Sequence, residues 1–209
     1  MFLKTFPVGP IQCNCSIIAC EETLEAIVVD PGGDAQKIID EINKNGFNLK
    51  YILHTHAHFD HVLGAKALKD QYAAKICLNK EDEWLYNNLD LQCSLFGFKA
   101  DPVAPIDIYL KDEEIIKIGN LNTKTIHTPG HTPGSMCFCV EDKQSLVFSG
   151  DTLFDGGIGR TDLWGGSYES IIKSIKNRLL ILDNDTLVIP GHGSNTDIWS
   201  EKKSNPFLN

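Results

Sequence analysis

Four histidines and an aspartate fall within the eight residues HTHAHFDH, which begin at His54. Burying imidazole and carboxylate groups costs free energy unless they are compensated, and both groups are ordinary ligands of zinc. On an extended segment, His54, His56 and His58 would share one face, because side chains alternate along a strand. Asp60 and His61 would then point elsewhere, so the stretch predicts two neighbouring metal positions. The alternative is a solvated histidine-rich loop without a bound metal.

The composition limits the class of protein around this stretch. The chain has 209 residues, of which 42% are hydrophobic, and this is long enough for a substantial core. A formal net charge of -9 and the lack of a run of Lys or Arg disfavour nucleic acid as a partner. The N-terminus does not read as a signal peptide, and no stretch of about 18 apolar residues is present. We therefore expect a soluble, cytoplasmic protein without membrane partners, and the oligomeric state stays open.

The cysteines predict free thiols rather than a disulfide framework. They are seven in number, an odd count, and no C-x-x-C pair occurs. Cys13 and Cys15, like Cys137 and Cys139, are separated by one residue, so each pair would share one face of a strand and could bind a soft metal. The apolar residues around both pairs favour packing in a strand core instead.

Hydrophobic periodicity predicts two rounds of strands, each with helices attached. The predicted strands cover 1–6, 16–20, 26–30, 50–53, 75–78, 106–110, 114–118, 121–127, 135–141, 145–149 and 186–189. The predicted helices cover 34–45 (ended by Gly46), 62–72, 80–88 and 168–182. Residues 90–105 contain Gly97 and two prolines, which favours an irregular, mobile loop near the site. The order of elements predicts one α/β domain over 1–209, with two sheets packed face to face and helices outside.

Three further segments place metal-ligating residues at the ends of predicted strands or in turns. His131, Asp151 and His192 each follow a glycine directly. Loops at strand ends are where a rigid scaffold holds its chemistry, and a preceding glycine permits close approach or a positive φ. One such histidine would more often be a surface or hydrogen-bonded residue. Three such segments together with HTHAHFDH indicate a single metal site.

Together the motifs H-x-H-x-D-H, G-H, G-D and G-H resemble the signature of the metallo-beta-lactamase superfamily. The segments TPGHTPGS, GDTLF, GRTD and NPFL resemble its short hydroxyacylglutathione hydrolases, the glyoxalase II-like branch. The resemblance implies a four-layer αββα sandwich with two mixed sheets and the metals at one edge. It also implies two divalent metal ions, zinc first, with iron or manganese as alternatives. Their ligands would be His56, His58 and His131 for the first ion, Asp60, His61 and His192 for the second, and Asp151 as a bridge.

The resemblance further implies hydrolysis of a thioester such as S-lactoylglutathione to a hydroxy acid and a thiol. Two metals would lower the pKa of a shared water toward about 7 and so provide a bridging hydroxide. Asp60 is the candidate catalytic proton acceptor. A thiolate leaves without a dedicated acid because a thiol pKa is about 8.5. The commonest di-zinc lactamases have arginine in place of His61 and cysteine in place of Asp151, so antibiotic hydrolysis is disfavoured.

Recognition of the substrate depends on fewer residues. Longer hydroxyacylglutathione hydrolases hold glutathione with a C-terminal helical domain and with tyrosines at places that correspond to Asp162 and Ser194. Arg160 is the candidate substrate-binding residue, since a guanidinium can bind a carboxylate, although it could equally pair with Asp162. His54 and His127 lie outside the signature and are interpreted as residues that support other ligands or the fold.

Two alternatives to thioester hydrolysis remain. A persulfide dioxygenase with one iron resembles the same branch, and imidazole and carboxylate ligands suit iron and zinc alike. A metal-binding protein that lacks activity is the second alternative, and the intact set of ligands argues against it.

Overall fold

Two six-stranded mixed sheets dominate the computed structural model, which describes residues 1–100, 102–142 and 144–208. The first sheet contains, in spatial order, β1 (Phe2–Val8), β2 (Cys13–Ala19), β3 (Glu25–Val29), β4 (Asn48–Leu53), β5 (Lys75–Asn79) and β6 (Ile108–Leu110). The remaining strands are, in chain order, β7 (Ile115–Ile118), β8 (Leu121–His127), β9 (Met136–Val140), β10 (Leu146–Gly150), β11 (Leu153–Phe154), β12 (Gly157–Ile158), β13 (Leu187–Pro190) and β14 (Thr196–Asp197). The second sheet has the order β14-β13-β10-β9-β8-β7, and β11 and β12 form a separate hairpin.

Helices provide the crossovers that the parallel strands require, and a last helix follows the final strand. They are α1 (Ala35–Asn45), α2 (Phe59–Val62), α3 (Ala65–Tyr72), α4 (Glu83–Asn87), α5 (Leu89–Leu95), α6 (Tyr168–Ser174) and α7 (Ile198–Ser204). In the first sheet β3, β4, β5 and β6 run parallel, and in the second β10 and β13 run parallel. The carboxyl ends of parallel strands meet at one edge of a sheet, so the loops that follow β3, β4 and β5 lie together.

The core has three parts that define four layers. One cluster lies between the two sheets and joins residues such as Ile27 and Leu53 to Phe138 and Phe148. A second lies between the first sheet and α1, α3, α4 and α5, and a third between the second sheet and α6 and α7. The predicted αββα sandwich is therefore confirmed. No helix among the described residues is long and apolar enough to cross a membrane.

Several parts of the chain differ from the predicted elements, and the β11–β12 hairpin is one that had no predicted counterpart. Residues 90–105 were expected to be irregular, but α5 begins at Leu89 because Leu89, Gln92 and Cys93 are buried at helical spacing. Position 101 of that predicted loop lies outside the described residues. The predicted helix 168–182 ends its α-helical part at Ser174 and continues as a π-helical turn, Ile175–Leu179. Strand β14 and helix α7 had no predicted counterpart. Gly46 ends α1 as predicted, with φ 68°.

Candidate metal centre

All seven predicted ligands come from loops that open at the same edge of the sandwich. After β4 the chain bends at Thr55 and His56, so the extended segment predicted for 54–58 does not form. His58 itself is extended (φ -73°, ψ 148°), and α2 begins at Phe59. Asp60 and His61 therefore lie on a helical turn, and the centroid of the His61 ring is 4.0 Å from that of His56. His131 lies in the β8–β9 loop, Asp151 directly follows β10, and His192 lies shortly after β13.

The first half-site is formed by three buried imidazoles. His131 Nε2 lies 2.9 Å from His58 Nδ1 and 3.2 Å from His56 Nε2. Nitrogen ligands at about 2.0–2.1 Å from a tetrahedral zinc ion lie about 3.3 Å from one another, so this spacing suits a shared cation. The three side chains are 1%, 6% and 2% exposed for His56, His58 and His131, which leaves little water to satisfy their nitrogens.

The second half-site lies beside the first and contains a carboxylate and two imidazoles. Asp60 Oδ2 is 3.0 Å from His192 Nε2 and 3.5 Å from His61 Nε2. His192 is the most accessible of the three, with a side chain that is 26% exposed. The mixture of one oxygen and two nitrogen donors is a common zinc or iron donor set.

The Asp151 carboxylate lies between the two half-sites and presents one oxygen to each. Its Oδ2 is 3.6 Å from His131 Nε2, whereas its Oδ1 is 3.5 Å from His61 Nε2 and 3.9 Å from His192 Nε2. Asp151 Oδ1 and His61 Nε2 are buried without a hydrogen-bond partner among the described residues. Buried polar atoms without partners are costly, and a cation between them would remove that cost.

Hydrogen bonds behind the rings fix which nitrogen of two imidazoles faces the centre. His61 Nδ1 lies 3.0 Å from Asp30 Oδ2, and His131 Nδ1 lies 2.7 Å from the carbonyl oxygen of Arg160. Both oxygens can only accept, so each Nδ1 donates its hydrogen, and in the neutral ring each Nε2 then has a free lone pair. This is the protonation state that a metal ligand requires.

A third ring is oriented through a hydroxyl group. Thr55 Oγ1 donates to Asp30 Oδ2 at 2.6 Å and lies 3.1 Å from His56 Nδ1. Since the hydroxyl hydrogen is already used, Thr55 accepts from His56 Nδ1. The Asp30 carboxylate thus orients His61 directly and His56 through Thr55, and so it acts on both half-sites.

The electrostatic environment favours a bound cation. Burial and the neighbouring imidazoles lower the pKa of His56 and His58 well below the usual value, so both rings are neutral. Burial alone would raise the pKa of Asp60, but His61 and His192 lower it overall, so the carboxylate is ionised. Burial likewise opposes protonation of His61, yet Cys13 and the surrounding carboxylates raise its pKa. The carboxylates of the cluster thus favour a positive charge beside them, as the raised pKa of His61 indicates.

Two of the glycines that precede ligands are required by geometry. Gly150 has φ 49°, a conformation that side chains disfavour, and a Cβ there would lie 2.4 Å from Thr55 Oγ1. A Cβ on Gly191 would lie 2.2 Å from Asp151 Oδ1 and 2.7 Å from His61 Cε1. The second half-site can form only because this position lacks a side chain.

Several residues that support the site had not been predicted. Asp30 had been predicted only as the last residue of a strand, although a carboxylate directly after an apolar strand can indicate a functional residue. Asp82 is buried and accepts hydrogen bonds from Ala57 N (3.0 Å), Gly134 N (2.6 Å) and Thr132 Oγ1 (2.8 Å). It therefore links the two loops that form the first half-site, and no local sequence signal marks it.

Cys13 lies behind the second half-site, where packing had been the favoured interpretation. Its buried Sγ is 3.5 Å from His61 Nδ1, but Asp30 Oδ2 is closer to the same nitrogen. All seven cysteines are free and buried.

The histidines outside the signature lie outside the cluster. His54 Nδ1 donates to the carbonyl oxygen of His61 at 3.1 Å, and His127 Nε2 donates to that of Pro133 at 2.9 Å. Arg160 lines the cleft beside the cluster, but its guanidinium binds both oxygens of Asp162, at 2.7 and 2.8 Å. The structure thus shows the pairing that had been one of the two interpretations of Arg160.

The fold and the cluster together define a metal-binding αββα sandwich protein. A sequence profile of the metallo-beta-lactamase superfamily matches residues 8–192. The chain therefore belongs to the metallo-beta-lactamase superfamily, as the motifs indicated.

Similar proteins of known name or structure extend over the whole chain. Hydroxyacylglutathione hydrolase GloC of Haemophilus influenzae is 43% identical over 211 residues, which are 100% of this chain and 99% of that protein. The crystal structure of the BLEG-1 B3 metallo-beta-lactamase superposes with a TM-score of 0.91 at 38% identity, covering 99% of each chain. TTHA1623, solved in a di-iron-bound form, superposes with a TM-score of 0.86 at 34% identity, covering 100% of each chain.

Proposed function

We propose that this protein is a dinuclear-metal hydrolase that cleaves thioesters such as S-lactoylglutathione to a hydroxy acid and a thiol. The observation that carries the proposal is the position of Asp151, whose two carboxylate oxygens face different half-sites. A site for one metal would need only one of these groups of ligands, whereas both are assembled. We assign His56, His58 and His131 to one ion, Asp60, His61 and His192 to the other, and Asp151 to both.

The donor set suits zinc and iron, and zinc is our first assignment. The related TTHA1623 holds two iron ions, which supports a two-metal site in this chain and keeps iron as an alternative. Divalent ions held there supply Lewis-acid activation of a water and of the acyl oxygen. We assign the role of proton acceptor for the attacking water to Asp60, whose carboxylate is ionised and lines the cleft.

The cleft beside the cluster favours a good leaving group. Apart from the assigned ligands, Arg160 is the one titratable side chain among the described residues that line it, and Arg160 is paired with Asp162. An amine leaving group would need a proton donor, whereas a thiolate does not, because the pKa of a thiol is about 8.5. The similarity to a hydroxyacylglutathione hydrolase over the whole chain supports the same reaction class.

Hydrolysis of β-lactams is a second candidate, favoured by the similarity to BLEG-1. We rank it below thioester hydrolysis because a lactam releases an amine, for which the cleft offers no separate acid among its described residues. Persulfide oxidation with a single iron is a third candidate, and it leaves the assembled second half-site without a role.

One set of assays on the same preparation separates these activities. Protein purified without added metal is supplied with S-D-lactoylglutathione, a chromogenic β-lactam, or glutathione persulfide with oxygen uptake recorded. We expect thioester cleavage as the dominant activity, without oxygen uptake. Oxygen uptake without thioester cleavage would refute the proposal, and dominant β-lactam cleavage would favour the second candidate.

A pair of variants shows whether the activity belongs to this site. We expect Asp151→Ala to lose thioester cleavage, because it removes the carboxylate shared by the half-sites. Asp155→Ala is the matched control, since Asp155 is an exposed aspartate on the same connection, four residues further along. Equal activity in the two variants would remove Asp151 from the mechanism.

A further inference from the structure

An apolar cleft opens directly onto the candidate metal centre and encloses about 220 Å³. Five of the assigned ligands line it: His58, Asp60, His131, Asp151 and His192. The lining also includes five apolar side chains, which we call the apolar wall: Ile11, Phe59, Phe96, Leu163 and Trp164.

Phe59 connects the apolar wall to the metal centre. It lies in sequence between the ligands His58 and Asp60, so its position is tied to theirs. Its ring centroid is 5.2 Å from that of Phe96 and 5.6 Å from that of Phe98, spacings typical of packed aromatic pairs. Phe96 is nevertheless 45% exposed and Phe98 37% exposed. The outer members of this aromatic cluster therefore retain surface that an apolar group of a ligand could cover.

Helix α5 holds the aromatic cluster in register with the ligands. Gln92 on its inner face is buried, accepts from Phe59 N at 3.2 Å, and donates to the carbonyl oxygens of Ala57 at 3.0 Å and Leu85 at 2.7 Å. Phe96 follows one helical turn later and faces the cleft. The ligand loop and the apolar wall are thus fixed to each other by hydrogen bonds rather than by side-chain packing alone.

The cleft offers little attraction for carboxylates of a substrate. Arg160 is the one permanently cationic side chain among the described residues that line it, and both of its donor positions toward Asp162 are used. A substrate carboxylate would share the guanidinium with Asp162 and could reach only the donors that this pair does not use, such as those on Nη1. The pair is exposed, so it contributes little to stability. Its net charge is zero, and it therefore attracts a substrate carboxylate only weakly.

The size of the cleft limits how much of a substrate it can enclose. Pockets that bury a drug-sized ligand have volumes of about 300–1,000 Å³, and this one is smaller. It therefore suits a group adjacent to the scissile bond, while more distant parts of the substrate stay in solvent.

Resting on the proposed function, we propose that the substrates are thioesters with an uncharged, apolar group next to the scissile bond, and that this group packs on the apolar wall. Phe96 is the main specificity residue. It has the most exposed ring of the apolar wall, and it is not adjacent to a metal ligand in the sequence. A glutathione moiety would lie outside the cleft and add little to binding. The apolar group can belong to the acyl part or to the thiol, since the wall would contact either.

Unreactive thioethers test this without turnover. Holoenzyme is titrated by calorimetry with two series: methyl, butyl and benzyl thioethers of N-acetylcysteamine, which vary the acyl side, and methyl thioethers of thiols of increasing apolar size, which vary the thiol side. We expect the Kd to fall about tenfold or more along at least one series, the effect of burying part of an aromatic ring. Glutathione thioethers with the same apolar groups are titrated as well. Their Kd values should agree with those of the N-acetylcysteamine thioethers within about threefold, because a charge at an exposed site contributes little to binding.

Variants assign the effect to the wall. Phe96→Ala should weaken binding of the benzyl compound about fivefold or more, the loss of part of a ring contact. Leu95→Ala is the matched control, because Leu95 is 63% exposed at the end of the same helix and does not line the cleft. Its Kd values should match those of the unmodified protein, and thermal unfolding shows that both variants are folded.

The outcomes separate this inference from the proposed function. Flat Kd values along both series, or equal effects of Phe96→Ala and Leu95→Ala, would overturn the apolar wall even in an active thioesterase. A tenfold loss in Arg160→Gln confined to the glutathione compounds would overturn it in favour of a charged anchor. Binding that follows the predicted series in a protein that cleaves no thioester would uphold the apolar wall and refute the proposed reaction.

Discussion

The ring of His61 donates its Nδ1 hydrogen to Asp30 Oδ2 across 3.0 Å, and both side chains are buried. A carboxylate behind a metal-ligating imidazole fixes its tautomer and raises its basicity, and its loss typically costs about 10- to 100-fold in metal affinity. We therefore expect Asp30→Asn to weaken metal binding by about this factor, because the negative charge is lost and the amide nitrogen would face either His61 Nδ1 and Thr55 Oγ1 or Thr55 N. Competition with a chromogenic chelator measures it. Asp40→Asn, on the exposed face of α1, should bind metal normally, and equal affinities in the two variants would contradict this role of Asp30.

Asp82 joins the two loops of the first half-site, and its removal should affect both stability and metal binding. An amide in Asp82→Asn keeps one acceptor oxygen, so it leaves either Gly134 N or both Ala57 N and Thr132 Oγ1 without that acceptor. Each orphaned buried donor costs about 1–3 kcal/mol, so the free energy of unfolding should fall by at least that amount. Urea denaturation of the metal-free protein measures the loss. Glu81→Gln, at the exposed neighbouring residue, is the control. An equal loss in its free energy of unfolding would show that Asp82 does not link the two loops.

Gly191 should tolerate no side chain. The added Cβ of Gly191→Ala would meet Asp151 Oδ1 at 2.2 Å and His61 Cε1 at 2.7 Å. Overpacking of this kind costs about 1–3 kcal/mol, and here the strain falls on the second half-site. We expect one metal ion per chain to be bound weakly while the fold persists, as measured by metal titration and circular dichroism. Gly157→Ala is the control, since its Cβ would make only an ordinary contact of 3.6 Å with Phe154. Unchanged titration curves in Gly191→Ala would contradict the geometry.

Burial lowers the pKa of His54 from the usual 6.5 to about 4. Between these values the unfolded chain takes up a proton that the folded protein excludes, so stability rises with pH across the window and is lost as the pH falls through it. This histidine alone contributes a slope of up to about 1.4 kcal/mol per pH unit. Urea denaturation of metal-free protein between pH 7 and 4 should show a shallower slope for His54→Asn, which retains a donor toward the carbonyl of His61. Parallel slopes would mean that His54 is charged or accessible in the folded protein.

Much of the fold could be predicted because its signals are local. Apolar runs such as Ala26–Val29 and the helical spacing of Ile38 and Ile42 are properties of short segments, and the structure places strand β3 and helix α1 there. Helix α5 was missed because its inner face includes the polar Gln92, whose burial depends on Ala57 and Phe59 from another loop. Helix α7 was missed although Asp197 caps it through Ser200 N, a signal that the sequence does contain.

In the candidate site, too, some residues could be predicted from local sequence signals and others could not. Ligand types and spacing were visible in HTHAHFDH and in the glycine-preceded residues, so the convergence of the seven side chains could be anticipated. The supporting residues could not, since Asp30 and Asp82 acquire their partners only when separate loops meet. Arg160 shows the limit most clearly, because its pairing with Asp162 rather than with a substrate is a matter of side-chain geometry.

The central claim is that Asp151 is shared by two metal ions. The direct measurement is the number of metal ions bound per chain, determined by elemental mass spectrometry. The protein is purified without added metal and then titrated with zinc. We expect saturation near two ions per chain for the unmodified protein and for Asp155→Ala, and below one for Asp151→Ala. Saturation of the unmodified protein at a single ion, with Asp151→Ala binding equally well, would contradict the dinuclear centre.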